Sequence, residues 1–239
     1  MIPRTVAEAL QIDKDTNTSY WTNAIEKEMK NNRVAFQFLK DNKKLLIGYK
    51  YIRCHMHFEV KMDFHRKACF VAGGHMTDSP PFMTYSSIVS RDSVRIGFLL
   101  AALNDLDLIS IDIGNAYLQA DNKEKVYTIA GPEFGALQGQ RVLIVRAIYG
   151  LKSSGAAWHD HFSNTLFDMS FKPSYAVNDV WMQPAIKPIG YKYYEYILVY
   201  VDDLLIISHQ TNNIVDVIKQ SYRLKDDDIG PPETFLALE

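Results

Sequence analysis

The sequence predicts an α+β fold, and three observations carry that reading. Apolar residues make up 47%, aromatic residues 12% and charged residues 23% of the 239 positions, ordinary globular usage that excludes a wholly disordered chain, a collagen and a disulfide miniprotein. Stretches with helical and strand periodicity are mixed without strict β-α-β alternation, which argues against a doubly wound parallel sheet. The length suits one compact body with two subdomains.

The elements follow in order. Residues 1–18 read as a poorly ordered extension with a frayed start. After Ser19, the side chains of Trp21, Ile25 and Met29 recur every four residues and predict a helix with one apolar face. Residues 33–39 and 45–52 alternate as strands, with Lys40-Asp41-Asn42-Lys43-Lys44 as a turn between them. Residues 57–62 and 67–72 form a second hairpin, and Asp78-Ser79-Pro80-Pro81 marks a loop. Ser90 caps a helix over about 91–105 that buries Val94, Phe98, Ala101 and Ala102. Residues 106–112 read as a buried strand ending in a carboxylate, and 125–129 and 142–145 as short strands on either side of the Gly131-Pro132 break. A helix over 154–169 aligns Trp158, Phe162, Leu166 and Met169, with His159 and His161 as surface or packing histidines. Strands at 193–201 and 204–208 flank Asp202-Asp203, and 211–223 is the last helix.

Two cysteines, Cys54 and Cys69, cannot build a framework of bridges, so a reducing compartment is expected. The longest clean apolar stretch, Ile96 to Leu103, is far below the roughly 18–20 residues of a membrane span. Met1 to Leu10 carries Arg4 and Glu8 and lacks the apolar core of an export signal, which leaves cytosol, nucleus or a cytosolic particle open. The net charge of −2 requires any nucleic-acid site to be a local patch. Residues 40–67 supply one: Lys40, Lys43, Lys44, Lys50, Arg53, Lys61, Arg66 and Lys67 against Asp41, Glu59 and Asp63, a net +5. Such a surface can hold phosphates or be a solvated hairpin face.

The most informative stretch is Tyr200-Val201-Asp202-Asp203-Leu204-Leu205-Ile206. Two adjacent acids sit where a tight hairpin prefers Asn-Gly or Asp-Gly. Two carboxylates about 4 Å apart repel by about 4 kcal/mol at an effective dielectric of 20. A divalent cation reverses that sign. Asp112, ending the strand Asp107-Leu108-Ile109-Ser110-Ile111, supplies a third acid. It can also be a helix N-cap after the strand, since it precedes Ile113-Gly114-Asn115-Ala116-Tyr117. Three such carboxylates suit two hard cations with oxygen ligands, the arrangement that drives in-line phosphoryl transfer.

At these residues the chain resembles the reverse transcriptases of copia-type long-terminal-repeat retrotransposons, over about Trp21 to Leu236. The resemblance rests on Arg66-Lys67-Ala68-Cys69-Phe70-Val71-Ala72-Gly73-Gly74, on Tyr85-Ser86-Ser87-Ile88-Val89-Ser90-Arg91 and on Ile111-Asp112-Ile113-Gly114-Asn115-Ala116-Tyr117-Leu118. Val126-Tyr127, then Ala147-Ile148-Tyr149-Gly150-Leu151-Lys152-Ser153-Ser154-Gly155-Ala156-Ala157-Trp158 and Tyr200-Val201-Asp202-Asp203, complete it in order and spacing.

The resemblance implies a right-hand polymerase lacking its thumb, with an antiparallel palm sheet packed on helices. Fingers would span about 19–90 with part of 120–150, and palm about 91–119 and 151–239. The implied activity is RNA-directed DNA polymerisation with two Mg²⁺ ions, or Mn²⁺, held by Asp112, Asp202, Asp203 and the carbonyl of Ile113. Tyr117 would gate against a ribose 2′-OH, or be a core aromatic on a short helix. Gly150 and Lys152 would pack the template and nucleotide, and Lys61 and Lys67 would meet the triphosphate. The implied partners are an RNA or DNA template with its primer and deoxynucleoside triphosphates. No membrane is implied, and the oligomeric state stays open.

The sequence also departs from the family. Where the family reads Lys-Ala-Arg-Leu-Val-Ala, this chain has Lys67-Ala68-Cys69-Phe70-Val71-Ala72. A thiol offers neither five planar donors nor a permanent charge, and strand parity puts Arg66 on the opposite face. Ala237 stands where glycine is usual, and the chain ends two residues later, as in a fragment or decayed copy of a longer polyprotein. A catalytically weak or inactive remnant that keeps the fold and some nucleic-acid binding is therefore the competing expectation. A zinc module on Cys54, His57, His65 and Cys69 is the remote one.

Overall fold

A computed structural model describes residues 1–39, 47–74, 86–225 and 229–232. The chain divides into two units, one of residues 1–85 and 117–158, the other of residues 86–116 and 159–239. Both helices and antiparallel sheets are present in quantity, so the α+β expectation holds.

In the first unit, helix α1 (Val6–Thr16) corrects the reading of residues 1–18 as a poorly ordered extension. Thr5 accepts the Glu8 N–H at its hydroxyl, Glu8 accepts the Arg4 N–H, and Val6 and Ala9 are buried. The pattern Thr5-Val6-Ala7-Glu8 is the helix-start signature that the sequence reading passed over. Helix α2 (Tyr20–Asn32) starts at Ser19, whose side chain makes no capping bond. Asp13 of α1 caps it instead, accepting from the Trp21 N–H, the Thr22 N–H and the Thr22 hydroxyl at 3.2, 2.8 and 2.8 Å.

Strands β1 (Phe36–Phe38), β2 (Lys50–Tyr51), β6 (Val126–Ile129) and β7 (Arg141–Ile144) form a sheet in the order β1-β7-β6-β2. Strands β3 (Cys54–Val60) and β4 (Arg66–Ala72) form a separate antiparallel hairpin. Its inner face carries Met56, Phe58, Ala68, Phe70 and Ala72, all buried. Trp21 meets Phe58 edge-on at 5.5 Å, and Phe36 meets Phe70 at 5.3 Å, so the aromatic core welds α2, hairpin and sheet. The expected turn at 40–44, and with it Lys40, Lys43 and Lys44, lies outside the described residues.

The second unit is built on a five-stranded antiparallel sheet in the order β5-β11-β10-β9-β8. Its strands are β5 (Asp107–Asp112), β8 (Lys172–Pro173), β9 (Val180–Ile186), β10 (Lys192–Tyr200) and β11 (Asp203–Ser208). Helix α3 (Arg91–Asn104) is capped by Ser90, whose hydroxyl accepts from the Ser93 N–H, as expected. It packs Val94 and Ala101 on Leu198, Leu205 and Ile207. A Cβ on its Gly97 would meet Ile207 at 3.0 Å and Leu198 at 3.2 Å, so the missing side chain allows close packing. Helix α6 (Thr211–Ser221) buries Ile214, Val215 and Ile218. Strand β9 was not expected, because Pro184 interrupts its pattern. The proline is tolerated because β8 pairs only with Trp181 and Met182, leaving the later part of β9 with β10 alone. The short helix α4 (Ala116–Gln119) belongs with the first unit from Tyr117 on, and helix α5 (Ser154–Asp168) runs across the division of the chain.

Candidate active site

In the second unit, β5 and β11 are neighbours, and Asp112 stands directly opposite Asp203. Opposed residues of an antiparallel pair lie about 4.5–5.5 Å apart at Cα and point to one face. Tyr200 is the last partner of Asp203 across the hairpin, so Val201 and Asp202 form a two-residue turn. The residue that takes the left-handed conformation there is Val201, with φ of 57°. A β-branched residue in that region is strained, and the type II′ pattern would favour glycine. The Ile113 N–H donates to the Asp202 carbonyl at 2.9 Å, which ties the turn to the end of β5. Three acids from two stretches of chain thus meet at one end of the sheet.

The other edge of β5 is covered by the chain after α6. Ile113 bridges Leu224, the Gly114 N–H donates to the Arg223 carbonyl at 2.9 Å, and the Lys225 N–H donates to the Asp112 carbonyl at 3.1 Å. This register sets Lys225 opposite Asp112, and its ammonium donates to Asp112 Oδ2. Asp112 Oδ1 is buried with no hydrogen-bond partner. An orphaned carboxylate oxygen, with two more aspartates at the neighbouring strand end by register, fits a hard divalent cation by donor chemistry. Among the described residues, no group of three or more His, Cys, Asp or Glu side chains is placed to hold a metal ion by itself.

The candidate nucleotide contacts lie in the first unit. Lys61 is exposed at the end of the β3–β4 hairpin, where its N–H donates to the His65 carbonyl at 2.9 Å. Lys67 is exposed on β4 opposite Glu59. Arg66 is committed elsewhere, donating to the Phe64 carbonyl at 2.6 Å and stacking over Tyr20. Lys50 and Arg53 are exposed. Tyr117 on α4 is half-buried, its ring edge-on to Tyr149 at 4.9 Å. Lys152 is half-buried, and beside it the Ser153 N–H and hydroxyl both donate to Glu124, at 2.9 and 2.7 Å. Gly150, with φ of +88°, turns its open face to the β4 backbone.

The hairpin corrects the zinc reading. Cys54 has the parity of buried Met56 and Phe58, whereas His57 opposes Cys69 on the other face, so the four candidate ligands cannot converge. Burial pushes the Cys54 thiol up to about 12, against a hydrogen bond with Thr128 that lowers it. Burial also pushes up the Cys69 thiol, with Lys67 opposing, so both sulfurs are neutral thiols rather than ready ligands.

Sequence reasoning missed two polar partners. Lys225 carries no local signal; its register against Asp112 is a tertiary fact. His159 is not a bare surface or packing histidine: its Nε2 meets Asp179 Oδ1 at 3.1 Å, and Asp179 is 1% exposed with Oδ2 unpaired. No periodicity signals that pair.

Comparison with known proteins follows the same lines. Over 182 residues the chain is 28% identical to the transposon Ty1-GR1 Gag-Pol polyprotein of Saccharomyces cerevisiae, covering 72% of this chain and 10% of the relative. Over 161 residues it is 26% identical to the retrovirus-related Pol polyprotein from transposon TNT 1-94 of Nicotiana tabacum, covering 65% of this chain and 12% of the relative. The chain therefore spans about a tenth of the length of these polyproteins. Among solved structures, a foamy viral protease-reverse transcriptase in complex with double-stranded DNA shares the fold at a TM-score of 0.50 and 12% identity, over 87% of this chain and 31% of that one. No helix among the described residues is long and apolar enough to cross a membrane. Residues 35–239 match the reverse transcriptase (RNA-dependent DNA polymerase) family, and with relatives of the Ty1/copia type, the chain belongs to that family in its copia-type retrotransposon branch.

Proposed function

We propose that this chain is the fingers-and-palm portion of a copia-type reverse transcriptase and carries out RNA-directed DNA synthesis by two-metal nucleotidyl transfer. The observation that supports it most is the register of Asp112 against Asp203, with Asp202 in the adjoining turn. Asp112, Asp202 and the Ile113 carbonyl would hold the cations, Mg²⁺ or Mn²⁺, with Asp203 as the third acid. When bound, such ions lower the pKa of an attacking hydroxyl and stabilise a leaving pyrophosphate. The protein's own part is to hold the carboxylates on a rigid strand end, so that their charge is placed before substrate arrives.

In this reading residues of about 19–90 and part of 120–150 are fingers, and 91–119 and 151–239 palm. Lys61 and Lys67 meet the triphosphate, Tyr117 crowds a ribose 2′-OH, and Gly150 and Lys152 pack against template and nucleotide. Lys40, Lys43, Lys44, Lys50 and Arg53 neutralise template or primer phosphates, a role supported by the +5 balance of residues 40–67. Nucleic-acid binding is supported further by the solved viral relative, which carries duplex DNA.

Primer extension on an RNA template with Mg²⁺ or Mn²⁺ tests the reading. Asp202→Asn with Asp203→Asn should abolish extension, and equal extension by both proteins would remove the polymerase claim. A second reading, a weakly active or inert remnant that keeps nucleic-acid binding, is favoured by one observation. Cys69 is a neutral thiol on the hairpin face that carries Lys67. Retained binding of a primer–template without extension would select it.

A further inference from the structure

We propose that Lys225 is a resident counter-ion of Asp112, occupying Oδ2 until a divalent cation displaces it, and so setting how tightly that cation binds. The inference rests on the reading of Asp112 as a metal ligand. Three observations converge on it.

The first is register. Asp112 has Asp203 opposite it on β11 and Lys225 opposite it on the covering segment. Two like charges on one side of a cross-strand ladder repel, and a cation on the other side offsets them. The second is that the contact is built twice, from backbone and side chain of one residue. The Lys225 N–H donates to the Asp112 carbonyl and its ammonium donates to Asp112 Oδ2. Gly114 keeps the segment close, since a Cβ there would already stand 3.2 Å from the Arg223 carbonyl.

The third is the asymmetry of the pair. The Asp112 side chain is 15% exposed and the Lys225 side chain 50%. The carboxylate is largely enclosed, while the ammonium sits on a flexible stem open to solvent. One carboxylate oxygen is thus held by an exchangeable cation and the other is buried and unpartnered. An arriving ion competes only with the first. Half-exposed, the ammonium can exchange its hydrogen bond to Oδ2 for one to water. Lys225 is therefore a positioning residue: it holds Asp112 Oδ2 in place when no metal is bound, at the expense of affinity when one is.

The test is Mn²⁺ binding to the full chain, followed by loss of the free-ion electron paramagnetic resonance signal, with no substrate present. Lys225→Met keeps the stem and removes the charge, and Lys225→Gln is a second variant should the first not fold. Either should tighten the Mn²⁺ dissociation constant about tenfold, ~1.4 kcal/mol. Lys225→Arg should stay near wild type. Arg223→Ala, which removes a charge from the same segment without touching Asp112 Oδ2, should change affinity less than about twofold. Equal affinities in wild type, Lys225→Met and Lys225→Gln would overturn the proposal, as would equal tightening by Arg223→Ala, which would mean a general field effect. Asp112→Asn separates this failure from that of the underlying reading. If it binds Mn²⁺ as wild type does, Asp112 is no ligand; if it loses binding while the Lys225 variants change nothing, only the counter-ion proposal fails.

Discussion

The carbonyl oxygen of Ala72 stands 2.0 Å from the place where a Cβ on Gly150 would be. The two backbones approach this closely because the Ala72 N–H donates to the Tyr149 carbonyl at 2.8 Å and the Gly74 N–H to the Gly150 carbonyl at 3.1 Å. Gly150 is thus required by strand β4, whatever it does toward a base pair.

Gly150→Ala should accordingly destabilise the protein by on the order of 3 kcal/mol, from the left-handed φ and the clash together. Gly190→Ala is the control, since its φ of +83° is as unusual but nothing lies within 4 Å of the added Cβ. It should cost about 1 kcal/mol. Urea unfolding midpoints of the two variants check the difference. Equal losses would mean that β4 yields and the approach is not rigid.

His159 and Asp179 predict a pH dependence. The hydrogen bond to Asp179 holds the His159 imidazolium above the usual histidine value; burial opposes this, and the charges of Asp179 and Asp160 add to it. A pKa raised on folding stabilises fully below the unfolded value of about 6.5 and is lost as pH rises through the folded value. His159→Gln should therefore cost about 1.5–3 kcal/mol near pH 5.5 and less above neutrality. Thermal unfolding of both proteins across pH 5–9 checks it. A constant gap between them would show that folding leaves the titration of the imidazole unchanged.

The elements that sequence made legible are those with one strong apolar stripe or ladder. The pattern of Trp21, Ile25 and Met29, and the apolar runs flanking Asp202-Asp203, led straight to α2, β10 and β11. That Asp112 ends one apolar strand and Asp202-Asp203 lie between two others was legible for the same reason, since apolar runs mark strand ends. What stayed hidden is pairing at a distance. The sheet position of β9 depends on which half of it has two neighbours, and Lys225 meets Asp112 across 113 residues of chain. Local pattern contains neither fact.

Helix α1 has a role that local pattern does not show: its Asp13 caps the start of α2. Burial pushes the Asp13 carboxyl up, but the Thr22 and Trp21 N–H groups and the Thr22 and Thr18 hydroxyls more than offset it and hold it below the usual carboxylate range. A depressed carboxyl stabilises above its unfolded value of about 3.9 and loses that contribution as pH falls through the folded value. Asp13→Ala should cost about 1–2 kcal/mol at neutral pH and progressively less in acid. Chemical denaturation at pH 7 and below pH 4 checks both halves.

The last prediction concerns Cys69. Its side chain shares a face with Lys67 and opposes His57, while Arg66 is spent on the Phe64 carbonyl and the Tyr20 ring. No guanidinium of β4 is therefore available on the Lys67 face. Burial keeps the thiol protonated, with the carboxylates of Glu28 and Glu59 raising it further and Lys67 opposing them. Those carboxylates are also what would receive an arginine placed there. Cys69→Arg should leave stability within about 0.5 kcal/mol, because the site is half-buried at a hairpin face and charge-compensated. If the hairpin meets the triphosphate, the same change should raise single-nucleotide incorporation by at least about tenfold and lower the apparent nucleotide KM, since a fork of donors on phosphate charge supplies orders of magnitude elsewhere. Single-turnover incorporation with Mg²⁺, over a range of nucleotide concentrations, reads both. A folded variant with neither change would place the triphosphate away from this strand, and would remove Lys67 from the list of its contacts as well.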